Sequence, residues 1–168
     1  LGDVYKRQTN ICRVEKEDAG KGVTKEKDYR DVDGLITNVP GLILGTFYAD
    51  CVPLLIVDPV HHAIGCSHSG WRGTVGEMGK KTVEAMREAY GSRPEDIFAA
   101  IGPSICQDCY EVGKDVAEPF EKLFSQERYQ DVSLKNILTE KVNGKYQLDL
   151  WRANEAILPV SYTHLTLP

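Results

Sequence analysis

A cysteine and a histidine, each at the end of an apolar run, are the residues of this sequence best suited to chemistry. Cys51 lies beside Asp50, and His68 begins the segment His-Ser-Gly-Trp-Arg-Gly. A thiolate next to an imidazole can act as an activated nucleophile. The same two side chains could also supply half of a four-coordinate zinc site. Residue types alone leave both chemistries open, together with the common case of a buried and inert cysteine.

Two predicted strands are expected to bring Cys51 and His68 together. Residues 53–57 and 63–66 form apolar runs typical of buried strands, and Asp58-Pro59 closes the first run with a turn. Neighbouring strands place residues that are distant in sequence side by side. The change from strand to helical spacing after His68 predicts a junction that holds its side chain at the mouth of a site.

The remaining periodicity predicts a single α/β domain with mixed sheets and flanking helices. Apolar residues recur at helical spacing over residues 74–90 and 114–124, and Asp149 is a candidate cap for a last helix that reaches residue 158. Further strands are predicted at residues 10–14, 33–37, 42–48, 97–101 and 146–148. Strands therefore dominate the first half, which is typical of a mixed α/β domain.

Composition limits the class of protein. The chain has 168 residues and a net charge of −5, which fits one soluble domain and argues against a nucleic-acid surface. No apolar stretch is long enough to span a membrane, and none resembles a signal peptide. The five cysteines, an odd number at irregular spacing, do not suggest a disulfide framework. A reducing, cytoplasmic location is therefore expected.

Both ends of the chain are predicted to be translated adapter DNA. One short DNA sequence that encodes residues 3–8 also encodes residues 160–165 when its reverse complement is read in another frame. Coincidence between two unrelated hexapeptides is a poor explanation of this match. We therefore expect residues 1–8 and 160–168 to contribute little to the core. Residues 9–159 are then a native domain that lacks residues on both sides.

Several segments resemble the YfiH family, whose members are called multicopper polyphenol oxidoreductases, laccase-like proteins or purine nucleoside phosphorylases. The most specific are Ala49-Asp50-Cys51-Val52-Pro53-Leu54 and His68-Ser69-Gly70-Trp71-Arg72-Gly73-Thr74. The weaker matches are Asp33-Gly34-Leu35-Ile36-Thr37, Gly102-Pro103-Ser104-Ile105, Tyr110-Glu111-Val112 and Leu148-Asp149-Leu150. The resemblance covers nearly all of residues 9–159. It implies a fold of the YfiH and cytotoxic-necrotizing-factor type, with packed mixed sheets.

The same resemblance implies a zinc-dependent purine nucleoside phosphorylase. Its substrates would be phosphate and adenosine, inosine or methylthioadenosine, with deamination of adenosine as a further activity. Two histidines and one cysteine would hold the zinc, and Cys51 and His68 match two of these three ligands. The other histidine belongs to a Gln-x-His block where this chain has Gln8-Thr9-Asn10, so the third protein ligand is expected to be missing. Copper is not expected, because multicopper oxidases need more histidines than the four in this chain.

Residues around the pair are candidates for binding substrate or phosphate. Gly70 would present backbone N–H groups near the start of a helix. Arg72 could bind phosphate through two hydrogen bonds, or form only a surface salt bridge. Asp50, next to the cysteine, is the third candidate for substrate or phosphate contact. Asp33 could orient a catalytic group or cap a turn.

The other polar motifs are interpreted as structural. Cys106-Gln107-Asp108-Cys109 is a lone Cys-x-x-Cys pair, which is weak evidence for zinc or redox chemistry, and both cysteines are interpreted as incidental. His61 and His62 are interpreted as solvated turn residues. Trp71 is interpreted as a packing residue.

Two functions of other classes remain open beside the phosphorylase. A cysteine hydrolase or amidase would use Cys51 as nucleophile and His68 as base, and would need no metal. A non-catalytic metal-binding module would bind zinc without turnover. Sensitivity to a chelator separates the hydrolase from a zinc enzyme, and phosphate-dependent turnover separates the enzyme from the module. In each case the expected partners are small molecules, not nucleic acid or a membrane.

Overall fold

Two β-sheets and four α-helices make up the part of the chain that the computed structural model describes, which is residues 9–159 and the backbone of 162–165. The strands are β1 (Ile11–Arg13), β2 (Gly34–Thr37), β3 (Val52–Asp58), β4 (Ala63–Ser69), β5 (Phe98–Ile101), β6 (Glu111–Val112), β7 (Leu138–Glu140), β8 (Tyr146–Leu148) and β9 (Tyr162–Leu165). The helices are α1 (Trp71–Val75), α2 (Met78–Tyr90), α3 (Lys114–Phe124) and α4 (Leu150–Ile157). The predicted mixed α/β fold is confirmed.

The larger sheet has the strand order β1-β2-β4-β3-β5-β9, with β3 and β4 as a central antiparallel hairpin. Along β3, Leu54 and Ile56 are fully buried, whereas Leu55 and Val57 are 47% and 44% exposed. Side chains alternate across a strand, so one face of the sheet lies on the core and the other is more open. The apolar runs at 53–57 and 63–66 are therefore strands, but with only one face deeply buried.

Helix α2 packs on the core face of this sheet. Its residues Met78, Val83 and Met86 are buried, as their helical spacing predicts. The approach is close at Gly34, where an added Cβ would lie 2.8 Å from Met78 Cε. A side chain at this position would displace the end of the Met78 side chain or the Ser67 hydroxyl. The helix ends at Gly91, whose left-handed φ of 78° allows its N–H to bond to the carbonyl of Arg87.

The smaller sheet, in the order β6-β8-β7, is antiparallel and extends the same core. Phe120 of α3, Ile137 and Leu148 are among its largest buried side chains. Helix α4 begins as predicted at Asp149, whose side chain accepts a hydrogen bond of 2.9 Å from the Arg152 N–H.

The helix predicted over residues 74–90 is divided in two. Glu77 has a left-handed φ of 58°, which ends α1 before α2 begins. Its carboxylate accepts hydrogen bonds from Tyr129 Oη at 2.5 Å and from Arg128 at 2.8 Å. Left-handed backbone is unfavourable for a residue with a Cβ, and these distant contacts hold it in place. Helical periodicity could not reveal the break, because both pieces bury residues on the same core.

The strand predicted at residues 42–48 is wrong, because this segment has no regular secondary structure. Ile43 and Phe47 are 89% and 94% exposed, whereas Thr46 and Tyr48 turn towards the sheet. Both of these polar side chains contact the sulfur of Cys66 on β4, at 2.9 and 3.4 Å. The segment predicted as a strand is thus a loop over the open face of the sheet.

Strand β9 pairs in parallel with β5 at the edge of the larger sheet. Segment 160–168 was expected to contribute little, yet the backbone of Tyr162–Leu165 extends the sheet by one strand. The side chains of 160–168 and all of residues 1–8 lie outside the described part, so their absence from the core stays a prediction. Within the described residues, no helix has the length and apolar character needed to cross a bilayer.

Candidate functional site

The register of the central hairpin determines how Cys51 and His68 are arranged. His68 lies opposite Pro53 and Ser69 lies opposite Val52, so continuation of the pairing places Cys51 diagonally across from His68. Ser69 and Val52 are buried on the core face, while Cys51 and His68 are both partly exposed. Diagonal neighbours on one face have Cβ atoms about 7 Å apart, within reach of a bridging metal ion. This register supports the shared site, and joint coordination by the two residues stays a prediction.

Asp33 and Tyr48 hold the imidazole of His68. The His68 N–H donates to the Asp33 carbonyl at 2.7 Å, and His68 Nδ1 lies 3.4 Å from Asp33 Oδ1. The Tyr48 ring stacks on the imidazole with centroids 5.8 Å apart and planes inclined by 20°. The Asp33 carboxylate is only 13% exposed and the His68 side chain 23%. A partly buried carboxylate beside Nδ1 orients the ring.

A cavity of about 610 Å³ opens beside this histidine. His68, Asp33 and Tyr48 line it, together with residues of the loops at 21–32 and 45–48. Tyr29 and Phe47 add aromatic surface, and the two lysines of the wall are Lys21 and Lys27. A volume of several hundred cubic ångströms with aromatic walls and a few polar groups is typical of a small-molecule site.

The lysines of the cavity differ in how far their charge is neutralised. Lys21 Nζ lies 2.7 Å from Asp18 and 2.8 Å from Asp28, and these carboxylates raise its pKa. Lys27 Nζ lies 5.3 Å from the centre of the Tyr29 ring. Its pairing with an aromatic ring leaves it better able than Lys21 to attract an anion into the cavity.

Tyr48 is the wall residue that links the cavity to the sheet. Burial raises the pKa of its phenol, and the hydrogen-bonding contact with Cys66 raises it further. The side chain therefore stays a neutral phenol at neutral pH. Its hydroxyl is fixed on Cys66 of β4 while its ring stacks on His68 of the same strand. Loop 42–48, which the sequence predicted as a strand, therefore supplies the residue that stacks on His68.

A buried hydrogen-bonded network fixes the junction that follows His68. Ser69 Oγ donates to Asn154 Oδ1 at 2.8 Å, and Asn154 Nδ2 donates to Thr74 Oγ1 at 3.0 Å. Thr74 Oγ1 in turn donates to the Gly70 carbonyl at 3.0 Å. Ser69, Thr74 and Asn154 are each no more than 1% exposed. Because buried polar groups are costly when unpaired, this network holds strand β4 and helix α1 in one fixed relation.

The other predicted substrate residues lie apart from the cavity wall. Arg72 is exposed, and its guanidinium lies 4.1 Å from the centre of the Trp71 ring. Gly70 caps α1, a helix of only five residues. Neither of these residues, nor Asp50 or Cys51, is part of the cavity lining. Their roles in binding substrate or phosphate stay predictions.

The donor set for zinc is incomplete among residues 9–159. No group of three or more histidine, cysteine or acidic side chains in this part of the chain is arranged to hold a metal ion. Catalytic zinc sites have three protein ligands and one open position. Cys51 and His68 alone do not meet that requirement.

Sequence reasoning missed two residues of the site, Tyr48 and Asn154. Tyr48 lay in a segment interpreted as a strand, and Asn154 lay within a helix with no polar signal of its own. The sequence leaves open whether Asp33 orients a catalytic group or caps a turn. In the structure its carboxylate lies beside Nδ1 of His68. His61 is no site residue, since its Nδ1 binds the buried Asp58 carboxylate at 2.7 Å.

Comparison with known proteins identifies the family. A profile of the family described as "multi-copper polyphenol oxidoreductase laccase" matches residues 5–161. The chain belongs to this family. A relative named adenosine deaminase RL5, from an unknown prokaryotic organism, is 42% identical over 159 residues, which are 92% of this chain and 58% of the relative. Purine nucleoside phosphorylase YlmD of Bacillus subtilis is 38% identical over 92% of this chain and 55% of its own length.

Solved structures of the family have the same fold. The hypothetical protein YfiH of Bacillus licheniformis superposes with a TM-score of 0.82 at 29% identity, over 96% of this chain and 60% of that protein. YlmD of Geobacillus stearothermophilus gives a TM-score of 0.80 at 31% identity, with the same coverage. The resemblance to the YfiH family is thus confirmed. The chain spans little more than half the length of these relatives.

Proposed function

We propose that the protein acts on purine nucleosides and cleaves the bond between base and ribose with phosphate. The observation that carries the proposal is the His68–Asp33 pair in the wall of a cavity of about 610 Å³. The family context supports the substrate class, because relatives from Bacillus subtilis and Deinococcus radiodurans are named purine nucleoside phosphorylases. Adenosine, inosine and methylthioadenosine are the proposed nucleosides.

The chemistry of phosphorolysis suits an oriented imidazole. A phosphate oxygen forms a bond to C1′ of the ribose while the bond from C1′ to the purine N9 breaks, and the departing base takes up a proton. His68, held in one orientation by Asp33, is the residue proposed to position the group that supplies this proton. Tyr48 and Phe47 offer aromatic surface for the purine, and Lys27 offers positive charge for phosphate.

Zinc is part of this proposal, although the described residues supply only two of its ligands. Cys51 Sγ and the His68 nitrogen that does not face Asp33 would be those two. The position of Asp33 beside Nδ1 is the carboxylate–histidine arrangement common in metal sites. The third ligand implied by the family pattern is a histidine where this chain has Asn10, so it would have to be restored. Bound zinc would polarise the substrate or an attacking oxygen.

Deamination is a second candidate activity, because one relative is named adenosine deaminase. Water would add at C6 of adenosine and ammonia would leave, giving inosine. The same pair, His68 and Asp33, would help to position the groups of this reaction. The two activities give different products, adenine and inosine, so one assay separates them.

The test uses a chain extended at Thr9 by the corresponding N-terminal residues of Bacillus subtilis YlmD, beside the 168-residue chain. Adenosine is supplied with and without phosphate, and adenine, inosine and ribose 1-phosphate are quantified. Phosphate-dependent adenine and ribose 1-phosphate support the proposal, and inosine alone supports deamination. Turnover that survives both phosphate omission and zinc chelation would indicate the metal-independent cysteine hydrolase. No turnover despite bound zinc would indicate the non-catalytic module.

A further inference from the structure

We propose that Cys106 and Cys109 form a reversible disulfide by exchange with a small-molecule disulfide such as oxidised glutathione, with Cys106 as the attacking sulfur. Both thiols lie outside the cavity, and the proposed nucleoside chemistry uses neither of them. Cys106 is partly exposed and Cys109 is exposed, so a small disulfide can reach both. The sequence alone gave no reason to assign them a role.

The backbone between the two cysteines already has the shape of the closed ring. Gln107–Cys109 is a single 3₁₀ turn, and the Cys109 N–H donates to the Cys106 carbonyl at 3.2 Å. Such a turn keeps its first and fourth Cα atoms within about 7 Å, and disulfides need a separation of roughly 4.4–6.8 Å. The turn therefore keeps the two cysteines within the range of Cα separations that a disulfide needs.

A neighbouring strand keeps this turn in place. Gln147 Nε2 on β8 donates to the carbonyls of Gln107 at 3.0 Å and Asp108 at 2.6 Å. These bonds hold the turn in the conformation that keeps the two cysteines close together. On its other side, the Ile105 N–H donates to the Asp50 carbonyl at 3.0 Å. One hydrogen bond thus links the cysteine turn to the segment just ahead of Cys51.

The two sulfurs have different roles. The nearby Cys109 thiol and the backbone N–H groups of Cys109 and Asp108 lower the pKa of Cys106. The pKa of Cys109 is raised by the nearby Cys106 thiol and by the charge of Cys106. The thiolate is the nucleophile in exchange, so Cys106 reacts first and Cys109 follows.

The exchange has two balanced steps. The Cys106 thiolate attacks one sulfur of oxidised glutathione, which forms a mixed disulfide and releases one glutathione thiolate. The Cys109 thiolate then attacks the Cys106 sulfur, which breaks the mixed disulfide and releases the second glutathione. The protein loses two protons and two electrons in total. The two released glutathione molecules take up both, so that their disulfide is reduced to two thiols.

The experiment follows thiols in the full 168-residue chain after exposure to oxidised glutathione, with alkylation and peptide mass spectrometry as the readout. The wild-type chain should lose two alkylatable thiols, gain no glutathione, and recover both thiols on reduction. Cys109→Ser should accumulate one glutathione on Cys106, because the second step is blocked. Cys106→Ser should acquire glutathione on Cys109 more slowly. The control is Cys12→Ser, since burial raises the pKa of Cys12, and it should behave as the wild type.

Three outcomes would overturn the proposal. The first is a wild-type chain that keeps glutathione on either cysteine without closing the ring. The second is glutathionylation of Cys109 in the Cys106→Ser variant as fast as that of Cys106 in the Cys109→Ser variant. The third is a wild-type chain in which both thiols remain alkylatable throughout. Circular dichroism of each variant verifies that the fold is intact before the rates are compared.

Discussion

Asp33 contacts His68 twice, once through its backbone and once through its carboxylate. The main-chain bond from the His68 N–H to the Asp33 carbonyl is 2.7 Å, and Nδ1 lies 3.4 Å from Oδ1. The first contact fixes the position of the strand end, and the second orients the imidazole against it. Because Asp33 lies just ahead of β2, the pairing of β2 with β4 places both the carbonyl and the carboxylate of Asp33 next to His68.

Replacing Asp33 by Asn should weaken the proposed turnover while leaving the fold intact. Asn keeps the backbone bond to His68 but removes the negative charge beside Nδ1. We expect a loss of about 10–100-fold in kcat or in zinc affinity, the usual effect of removing such a partner. The measurement is phosphate-dependent adenine release and zinc content in the N-terminally extended chain. Asp31→Asn, an exposed neighbour, is the matched control, and equal activity of the two variants would contradict the role of Asp33.

Cys51 and His68 should each be required for metal retention. Because the described residues supply only two zinc donors, the 168-residue chain is expected to retain little zinc and to turn over adenosine slowly or not at all. In the N-terminally extended chain, Cys51→Ala and His68→Ala should each abolish both zinc retention and turnover. Metal analysis and adenine release are the measurements, with Cys12→Ala as control. Full zinc and full phosphorolysis in Cys51→Ala would make Cys51 a structural residue.

Asp58 should stabilise the β3–β4 turn in a pH-dependent way. Burial acts to raise its pKa, but hydrogen bonds from the N–H groups of Val60 and His61 and from the His61 ring outweigh this and lower it. A carboxyl whose pKa is lower in the folded state stabilises the fold above its unfolded value, about 3.9. That stabilisation is lost as the pH falls through the folded value.

Urea unfolding of the wild type and of Asp58→Asn measures this effect. At neutral pH the variant should be less stable by about 1–3 kcal/mol, since it leaves buried donors without a carboxylate. The difference should hold down to about pH 5 and shrink below about pH 4. Asp131→Asn, an exposed carboxylate, should change the stability little at either pH. A difference between wild type and Asp58→Asn that is the same at pH 3 and pH 7 would contradict the linkage.

Asn154 should be important for stability although it lies far in sequence from the residues that it joins. Asn154→Ala removes the partner of Ser69 and of Thr74 and leaves their hydroxyl groups buried. We expect the free energy of unfolding to fall by about 1–3 kcal/mol. Urea denaturation measures the change, with the exposed Asn136→Ala as control. An effect no larger than that of the control would mean that the network does not fix the junction after His68.

Local sequence patterns predicted the elements that carry the site, because those elements depend on nearby residues. Short apolar runs predicted β3 and β4, and the capping carboxylate of Asp149 predicted the start of α4. The residue types and their place at strand ends also pointed to Cys51 and His68. Periodicity, capping and turn chemistry act over a few residues, so they can be recognised without knowledge of the fold.

Contacts between distant segments were decided only by the tertiary structure. Asp33 faces His68 because β2 pairs with β4, and Tyr48 reaches the same ring because loop 42–48 lies over the open face of the sheet. Glu77 breaks a helix through partners more than fifty positions away. The Cys106–Cys109 pair acquired a role only when its turn and the donors around it were known. Each of these contacts depends on which strand, loop or turn packs beside the residue. The periodicity of a sequence indicates which residues are buried, but not which segments they contact.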